Sequence, residues 1–305
     1  PPRSTLFPYT TLFRSRTGGG FNVVPLRNMI PADIARVFAD GAEKYKEEKL
    51  LAYEIGYKNR LWDGRATLSA AAYYNDWTNQ GLNVGYTYMR ISPPLPQNFT
   101  RILSAGKSRV MGIELDATVR ASDYLDLRIG YTYANAEILD FIDETDRDLH
   151  DTDGIIGNEA TQGDPTGQLK GRKIPQTPEH QFILTGDFHV PLNSELSGFF
   201  RSDLAYESSR YAQVHNLAYT GDSYLLNLKL GVQSDHWQVA LFVDNALQDE
   251  TPMVITRSFT FDRLLVLPDA VLSAVGPNTR LTQFRDFRVA APRKREYGLT
   301  ATYRF

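Results

Sequence analysis

From residue 49 onward, apolar and polar residues alternate along short segments of the chain. The segment 125–133 is the clearest, because one set of residues is apolar and the set between them is polar or small: Leu125, Leu127, Ile129, Tyr131 and Tyr133 against Asp126, Arg128, Gly130 and Thr132. Successive side chains of a strand point to opposite faces, so this period of two predicts β-strands with one apolar face. Eight further segments alternate in the same way: 53–58, 67–74, 112–119, 182–189, 196–204, 226–233, 237–244 and 296–305.

The connections between these nine predicted strands alternate in length. The short ones, 61–64, 121–123, 191–194 and 234–236, contain the Asp, Asn, Gly, Ser and Pro residues of tight hairpins. The long ones span about 85–108, 137–178, 208–223 and 249–294. Strict alternation of short periplasmic turns with long extracellular loops is typical of outer-membrane β-barrels. Nine strands that end at a periplasmic C-terminus also place residues 16–48 on the outer side.

Three features favour a membrane over a soluble β-sheet protein. The polar face carries ionised residues at mid-strand, Glu54, Glu114, Asp116 and Arg128, which suits a water-filled lumen. Loops as long as 137–178 are uncommon in compact soluble domains. Aromatic residues also cluster near both strand ends, and we predict that these lie at the two membrane interfaces: Trp62, Tyr124 and Trp237 beside short turns, and Trp77, Tyr131 and Tyr133 at the opposite rim.

The predicted fold class is therefore all-β, an antiparallel transmembrane β-barrel. The chain supplies a partial barrel of about nine strands with long extracellular loops. The alternative is a soluble β protein whose aromatic residues form its core.

The first fifteen residues do not fit this pattern. Thr5-Leu6-Phe7 is repeated as Thr11-Leu12-Phe13, and the segment lacks the charged and apolar regions of a secretory signal. Residues 1–15 resemble a translated sequencing-adaptor artefact, so we interpret them as non-native and leave them out of the fold prediction. A genuine extracellular loop is the alternative. Residues 16–48 are assigned to an extracellular loop or the remnant of a preceding strand, and we expect the true N-terminal part to be missing.

Composition and motifs give no indication of an enzyme. The absence of Cys excludes thiolate metal sites and Cys nucleophiles, and no hydrolase, zinc-protease or dinucleotide motif occurs. Five scattered His form no ligand cluster, so neither a metal nor a cofactor is expected. The net charge of −3, with no basic cluster on one face, does not indicate nucleic-acid binding.

Several short strings run through the chain in a characteristic order: Tyr53-Glu54-Ile55-Gly56-Tyr57-Lys58, Asp63-Gly64-Arg65, Gly112-Ile113-Glu114-Leu115, Val243-Asp244-Asn245-Ala246-Leu247-Gln248-Asp249, and Tyr297-Gly298-Leu299 before Tyr303-Arg304-Phe305. Their order and spacing resemble those of TonB-dependent outer-membrane receptors. The resemblance covers about residues 50–305, which identifies 49–305 as the C-terminal part of that family's barrel. A terminal Phe on an alternating strand is also an assembly signal of outer-membrane barrels, so Tyr303 and Phe305 are predicted to engage the barrel assembly machinery.

The resemblance implies a 22-stranded barrel that an N-terminal plug fills. A segment ahead of the plug contacts TonB, and energy from the inner membrane drives uptake. This sequence has neither plug nor contact segment. The function expected is active uptake of a scarce nutrient across the outer membrane, foremost a ferric siderophore, with TonB, the cargo and outer-membrane lipid as partners. A passive porin or sugar channel is the alternative.

The long loops differ in the sign of their charge. Residues 140–173 hold nine acidic and four basic residues, whereas residues 249–295 hold five acidic and eight basic ones. A basic loop can attract an anionic cargo through guanidinium contacts, although binding of lipopolysaccharide phosphates or simple solubility explains it as well. The predicted ligand-binding residues are five arginines and three aromatic residues: Arg257, Arg263, Arg280, Arg285, Arg288, Tyr211, Tyr219 and Phe284.

Overall fold

A computed structural model describes residues 9–93, 96–104, 106–142, 167–259 and 285–304 of the chain. A short helix, α1 (Pro31–Ala39), is the only α-helix in that part of the chain. No helix among these residues has the length and apolar character needed to cross a bilayer. The strands are β1 (Tyr9–Thr17), β2 (Gly20–Phe21), β3 (Lys44–Tyr45), β4 (Glu48–Leu61), β5 (Ala66–Thr78), β6 (Gly81–Met89), β7 (Pro96–Ser104), β8 (Lys107–Arg120), β9 (Leu125–Asp140), β10 (His180–Pro191), β11 (Ser197–Glu207), β12 (Ser223–Gln233), β13 (Trp237–Asp244), β14 (Ile255–Phe259), β15 (Arg285–Val289) and β16 (Glu296–Tyr303).

Ten of these strands form one antiparallel sheet in the order β1-β4-β5-β8-β9-β10-β11-β12-β13-β16. Each of the nine predicted strands is present, as β4, β5, β8, β9, β10, β11, β12, β13 and β16. The predicted fold class is therefore confirmed. Short turns join neighbouring strands at one end of the sheet, and the long connections lie at the other. We call these the turn end and the loop end. The sheet is an unclosed part of a barrel, because β1 and β16 form its two edges.

Strand register brings the apolar residues of neighbouring strands into continuous rows. Leu241 of β13 lies opposite Leu230 of β12 on one side and Leu299 of β16 on the other. These three leucines are 60, 57 and 64% exposed, respectively. Directly paired residues of an antiparallel sheet share a face, so a slip of one residue would turn every row over. Among the residues that the structure describes, no second layer of protein packs against these rows, as a soluble sandwich would require.

Residues 1–15 were left out of the fold prediction, but the structure places a strand partly within them. All nine residues of β1 pair with β4, from Tyr9 opposite Gly56 to Thr17 opposite Glu48. The alternation that revealed the other strands is weak here, because Leu12 shares a face with the exposed Arg14 and Arg16. An extended segment can nevertheless satisfy the unpaired backbone groups along the edge of β4. The interpretation of residues 1–15 as non-native stays a prediction.

Residues 20–45 pack at the loop end with the β6–β7 hairpin. Met29 and Val37 are fully buried, and the ring of Tyr88 lies 6.2 Å from that of Phe99 within the same small core. The side chain of Asn22 bonds β7 as a strand residue would, because its amide donates to the Ile102 carbonyl at 3.0 Å and accepts from the Ile102 N–H at 2.8 Å. The predicted loop is therefore a small folded unit beyond the end of the sheet.

Candidate ligand site at the loop end

Two of the predicted ligand-binding aromatics lie face to edge in one loop. Residues 208–222 connect β11 to β12, and we call them the tyrosine loop. Tyr211 and Tyr219 form an isolated β-bridge across this loop, and their rings are 6.1 Å apart at 70°. The loop folds back on itself because Thr220 and Arg210 exchange hydrogen bonds of 2.9 and 3.1 Å. Tyr219 is 65% exposed, so its ring is accessible from outside.

Three of the predicted arginines are brought together by the hairpin of β14 and β15, which we call the arginine hairpin. Arg257 is paired with Phe287, and Arg285 is paired with Phe259. Arg288 is exposed and lies opposite Thr256. The sequence predicted these residues from loop charge alone, and the register is what places them on one element. Arg263, Arg280 and Phe284 lie outside the described residues.

Hydrogen bonds join the tyrosine loop to the arginine hairpin and to the end of the β9–β10 connection. Gln176, in that connection, donates its backbone N–H to the Tyr211 carbonyl at 2.9 Å. Its side-chain amide donates to the Ala212 and Ile255 carbonyls, both at 3.3 Å. A second link runs from the Arg210 guanidinium to the Met253 carbonyl. The three connections therefore form one hydrogen-bonded cluster.

The basic loop, residues 249–295, carries the arginine hairpin and is closed at its base by hydrogen bonds. We call this base, formed by Asn245, Asp249 and Arg293, the neck. Asn245 is 3% exposed, and its amide donates to the carbonyls of Asp249 at 2.8 Å and Arg293 at 2.9 Å. The Asp249 carboxylate accepts hydrogen bonds from the N–H groups of Thr251 and Tyr224. Burial by itself would raise the pKa of Asp249, but the hydrogen bonds from Thr251, Ser223 and Tyr224 outweigh it and lower that pKa.

A second set of contacts at the loop end was not predicted from the sequence. Ile138, Phe141, Leu169 and Val214 form a buried apolar cluster beneath the loops. Beside it the Lys173 amine contacts Glu179 and donates to Asn135 at 2.8 Å. Asn135 and Ile138 lie near the end of β9, and the other residues lie in irregular connections where the sequence shows no period. Only the long-range contacts of the fold therefore reveal this set.

The polar face of the sheet carries a hydrogen-bonded ion network at mid-strand. Arg201 of β11 bonds both carboxylate oxygens of Asp203, at 2.7 and 2.8 Å, and reaches Asp187 of β10 at 3.1 Å. The Thr185 hydroxyl completes the network by donating to Asp203 at 2.8 Å. Ionised groups on this face therefore pair with one another across strands, as a wet barrel wall requires.

Aromatic residues occur at both ends of the sheet. At the turn end, Trp62, Tyr124 and Trp237 are 67, 46 and 37% exposed. At the loop end, the hydroxyl of Tyr131 is 2.9 Å from Nδ1 of His180, and Tyr133 lies opposite that histidine. Other pairs of rings continue this row, Tyr53 with Tyr74 at 6.4 Å and Tyr206 with Tyr224 at 4.8 Å.

Trp77 and the C-terminal residues complete the predicted set. The regular pairing of β5 places Trp77 on the polar face with Tyr73, opposite Ser108, and its position at the membrane interface stays a prediction. Its indole nitrogen is buried without a hydrogen-bond partner among the described residues. Tyr303 is 61% exposed and lies opposite Trp237. Phe305 lies outside the described residues.

The fold and its exposed apolar rows define an outer-membrane β-barrel protein. A family model described as the TonB-dependent receptor-like β-barrel matches residues 5–246. The chain belongs to this family, which comprises receptors and transporters of the bacterial outer membrane and is not an enzyme class. No curated protein matches the chain.

Three solved structures share the fold. The ferric yersiniabactin uptake receptor of Yersinia pestis is 15% identical with a TM-score of 0.62, over 97% of this chain and 34% of that one. The ferric preacinetobactin receptor of Acinetobacter baumannii is 15% identical with a TM-score of 0.54, over 97% and 33%. The ferric-catecholate import receptor of E. coli K12 is 20% identical with a TM-score of 0.51, over 86% and 28%. The chain thus spans about a third of the length of the solved receptors that it matches.

Proposed function

We propose that this chain is the C-terminal part of the barrel of a complete receptor that takes up a ferric siderophore with energy delivered by TonB. All three structural relatives are receptors for ferric siderophores or ferric catecholates. A sequence identity of 20% or less supports a shared fold but does not transfer the cargo of these receptors to this chain. The cargo must therefore be argued from the loop end.

The observation that carries the proposal is the arrangement of the tyrosine loop beside the arginine hairpin. A ferric ion bound by three catecholate groups is anionic and carries aromatic rings, because each catecholate supplies two phenolate oxygens. Guanidinium groups bind carboxylate and phenolate oxygens with charge-assisted hydrogen bonds, and an exposed tyrosine ring stacks on an aromatic chelator. Arg288 and Tyr219 are exposed at this end and fit these two roles. Arg257, Arg263, Arg280, Arg285, Tyr211 and Phe284 are proposed as further contacts.

Binding of ferric tris-catecholate and tris-hydroxamate chelates to the complete receptor tests the cargo. Replacing Arg285 and Arg288 together with Ser should weaken binding by about tenfold or more, the loss expected for one charge-assisted contact. Arg120→Ser is the matched control, because Arg120 ends β8 at the turn end. Unchanged affinity for every chelate in the Arg285 and Arg288 variant would refute an anionic cargo at this hairpin.

Transport distinguishes an energised receptor from a passive channel. Uptake of the bound chelate should stop in cells that lack TonB and in cells whose inner-membrane proton gradient is abolished. Persistence of uptake in both would favour a porin. We also propose that Tyr303 and Phe305 engage the assembly machinery and that the exposed aromatics at both ends of the sheet lie at the membrane interfaces.

A further inference from the structure

We propose that Gln176 is a positioning residue that fixes the tyrosine loop against the arginine hairpin. This inference rests on the proposed function for its consequence in binding, but not for its structural content. Gln176 belongs to neither element, since it lies in the β9–β10 connection. From there it bonds both, through Tyr211 and Ala212 of the tyrosine loop and through Ile255 at the start of the arginine hairpin.

The backbone of Gln176 shows that this position is held by its contacts. Its φ is +58°, in the left-handed region that favours glycine. A residue with a side chain occupies this region at a cost in free energy, and persists there when surrounding contacts fix it. The side chain supplies such contacts here, because both bonds to the neighbouring loops come from its single amide nitrogen. Glycine would fit the backbone better but would lose both bonds.

The chemistry of the contact requires an amide. Both partners of the Gln176 side chain are carbonyl oxygens, so the group between them must offer two hydrogens. A glutamine NH₂ carries two hydrogens, whereas an ionised glutamate of the same shape carries none. Gln176→Glu therefore removes both bonds and adds repulsion, while its backbone N–H to Tyr211 is retained.

The bonds of Gln176 set the distance between the tyrosine loop and the arginine hairpin, which carry the proposed cargo contacts. Ile255 is paired with Val289, the neighbour of Arg288, so the Gln176 bond acts on the base of the arginine hairpin. The link from Arg210 reaches Met253, two residues before β14, and so holds the tyrosine loop to the start of the same connection independently. Loss of Gln176 alone should therefore loosen the arrangement of the two elements without separating them.

Distance measurement between spin labels tests this directly, without any cargo. Leu217 in the tyrosine loop and Val289 in the arginine hairpin are 38 and 52% exposed and suit labelling through Cys. In the complete receptor, Gln176→Glu and Gln176→Gly should both broaden the 217–289 distance distribution, and more so when combined with Arg210→Ala. Gln238→Glu is the control, because it removes an amide that donates to Gln233 at the turn end. An unchanged distribution in both Gln176 variants would overturn the proposal.

Chelate binding then separates this proposal from the proposed function. We expect Gln176→Glu to weaken binding of the ferric chelate about tenfold. The shift in gel migration on heating, which reports a folded barrel, should be unchanged. The effect on binding should be non-additive with that of Tyr219→Ala. Broadened distances with unchanged binding in the Gln176, Tyr219 and Arg288 variants would refute the proposed cargo site and leave the positioning role standing. Weakened binding in the Tyr219 and Arg288 variants, with native distances in the Gln176 variants, would refute the positioning role alone.

Discussion

The side-chain amide of Asn245 donates a hydrogen bond of 2.9 Å to the carbonyl of Arg293, 48 residues further along the chain. This bond closes the neck of the basic loop, where the chain leaves β13 and returns to β16. The same amide also donates to Asp249, and its oxygen accepts from the Asp249 N–H at 2.8 Å. One buried side chain therefore joins both ends of the loop that carries the arginine hairpin.

Substitution of Asn245 by Asp should open this neck. The carboxylate keeps the acceptor but loses both amide hydrogens, which leaves it beside two carbonyl oxygens at a local cost of about 1–3 kcal/mol. We expect trypsin to cleave within residues 249–295 faster in outer membranes that contain this variant. Asn193→Asp is the control, because the side-chain oxygen of Asn193 accepts hydrogen bonds from the N–H groups of Glu195 and Leu196 and a carboxylate keeps both. Equal cleavage rates in the Asn245 variant and the unsubstituted receptor would contradict the assigned role.

Acid should loosen the same neck. In the folded protein the pKa of Asp249 lies below its ordinary value of 3.8. The stabilisation of the neck by the ionised Asp249 carboxylate is therefore fully present above pH 3.8 and is lost as pH falls through the folded pKa. A spin label at Val289 should keep constant mobility from about pH 8 to 5 and become mobile only below about pH 4. In Asp249→Asn we expect higher mobility that no longer depends on pH. A transition near pH 6 would assign the effect to another group.

The assigned register predicts opposite effects of one charge on the two faces. Leu241 lies on the apolar face of β13, whereas Thr300 lies on the polar face of β16, one residue beyond the Leu299 that pairs with Leu241. Arg at Leu241 should destabilise the barrel by about 2–4 kcal/mol, and Arg at Thr300 should cost little. Denaturant unfolding of the complete receptor in vesicles measures both. Equal costs at the two positions would contradict the register.

Alternation made most of the sheet predictable, because lipid on one face and water on the other impose a period of two. β4, β5, β8 and β9 each carry that signal, and so do the five later strands of the sheet. β1 carries it weakly and was missed. β6, β7, β14 and β15 were missed because they pair within loops, where no such contrast exists between the faces. Trp77 was placed at the rim by its position, but counting along β5 from Tyr74 assigns it to the polar face.

The candidate site was predictable in composition but not in arrangement. Charge counts single out the loop that carries Arg257, Arg285 and Arg288, and the aromatic residues of the tyrosine loop are visible in the sequence. The contacts of Gln176 and Asn245 are not visible, because they depend on left-handed backbones and on partners 79 and 48 residues away. Such contacts form only after the strands have brought the loops together.

The central claim, that one face of the sheet contacts acyl chains, can be measured with lipid-borne quenchers. The chain contains no Cys, so a fluorophore on an introduced Cys has no competitor within it. In the complete receptor, nitroxide groups on lipid tails should quench fluorophores strongly at Leu230 and Leu299 and weakly at the neighbouring Lys229 and Thr300. Equal quenching at neighbouring positions, or stronger quenching at Lys229 and Thr300, would contradict the account.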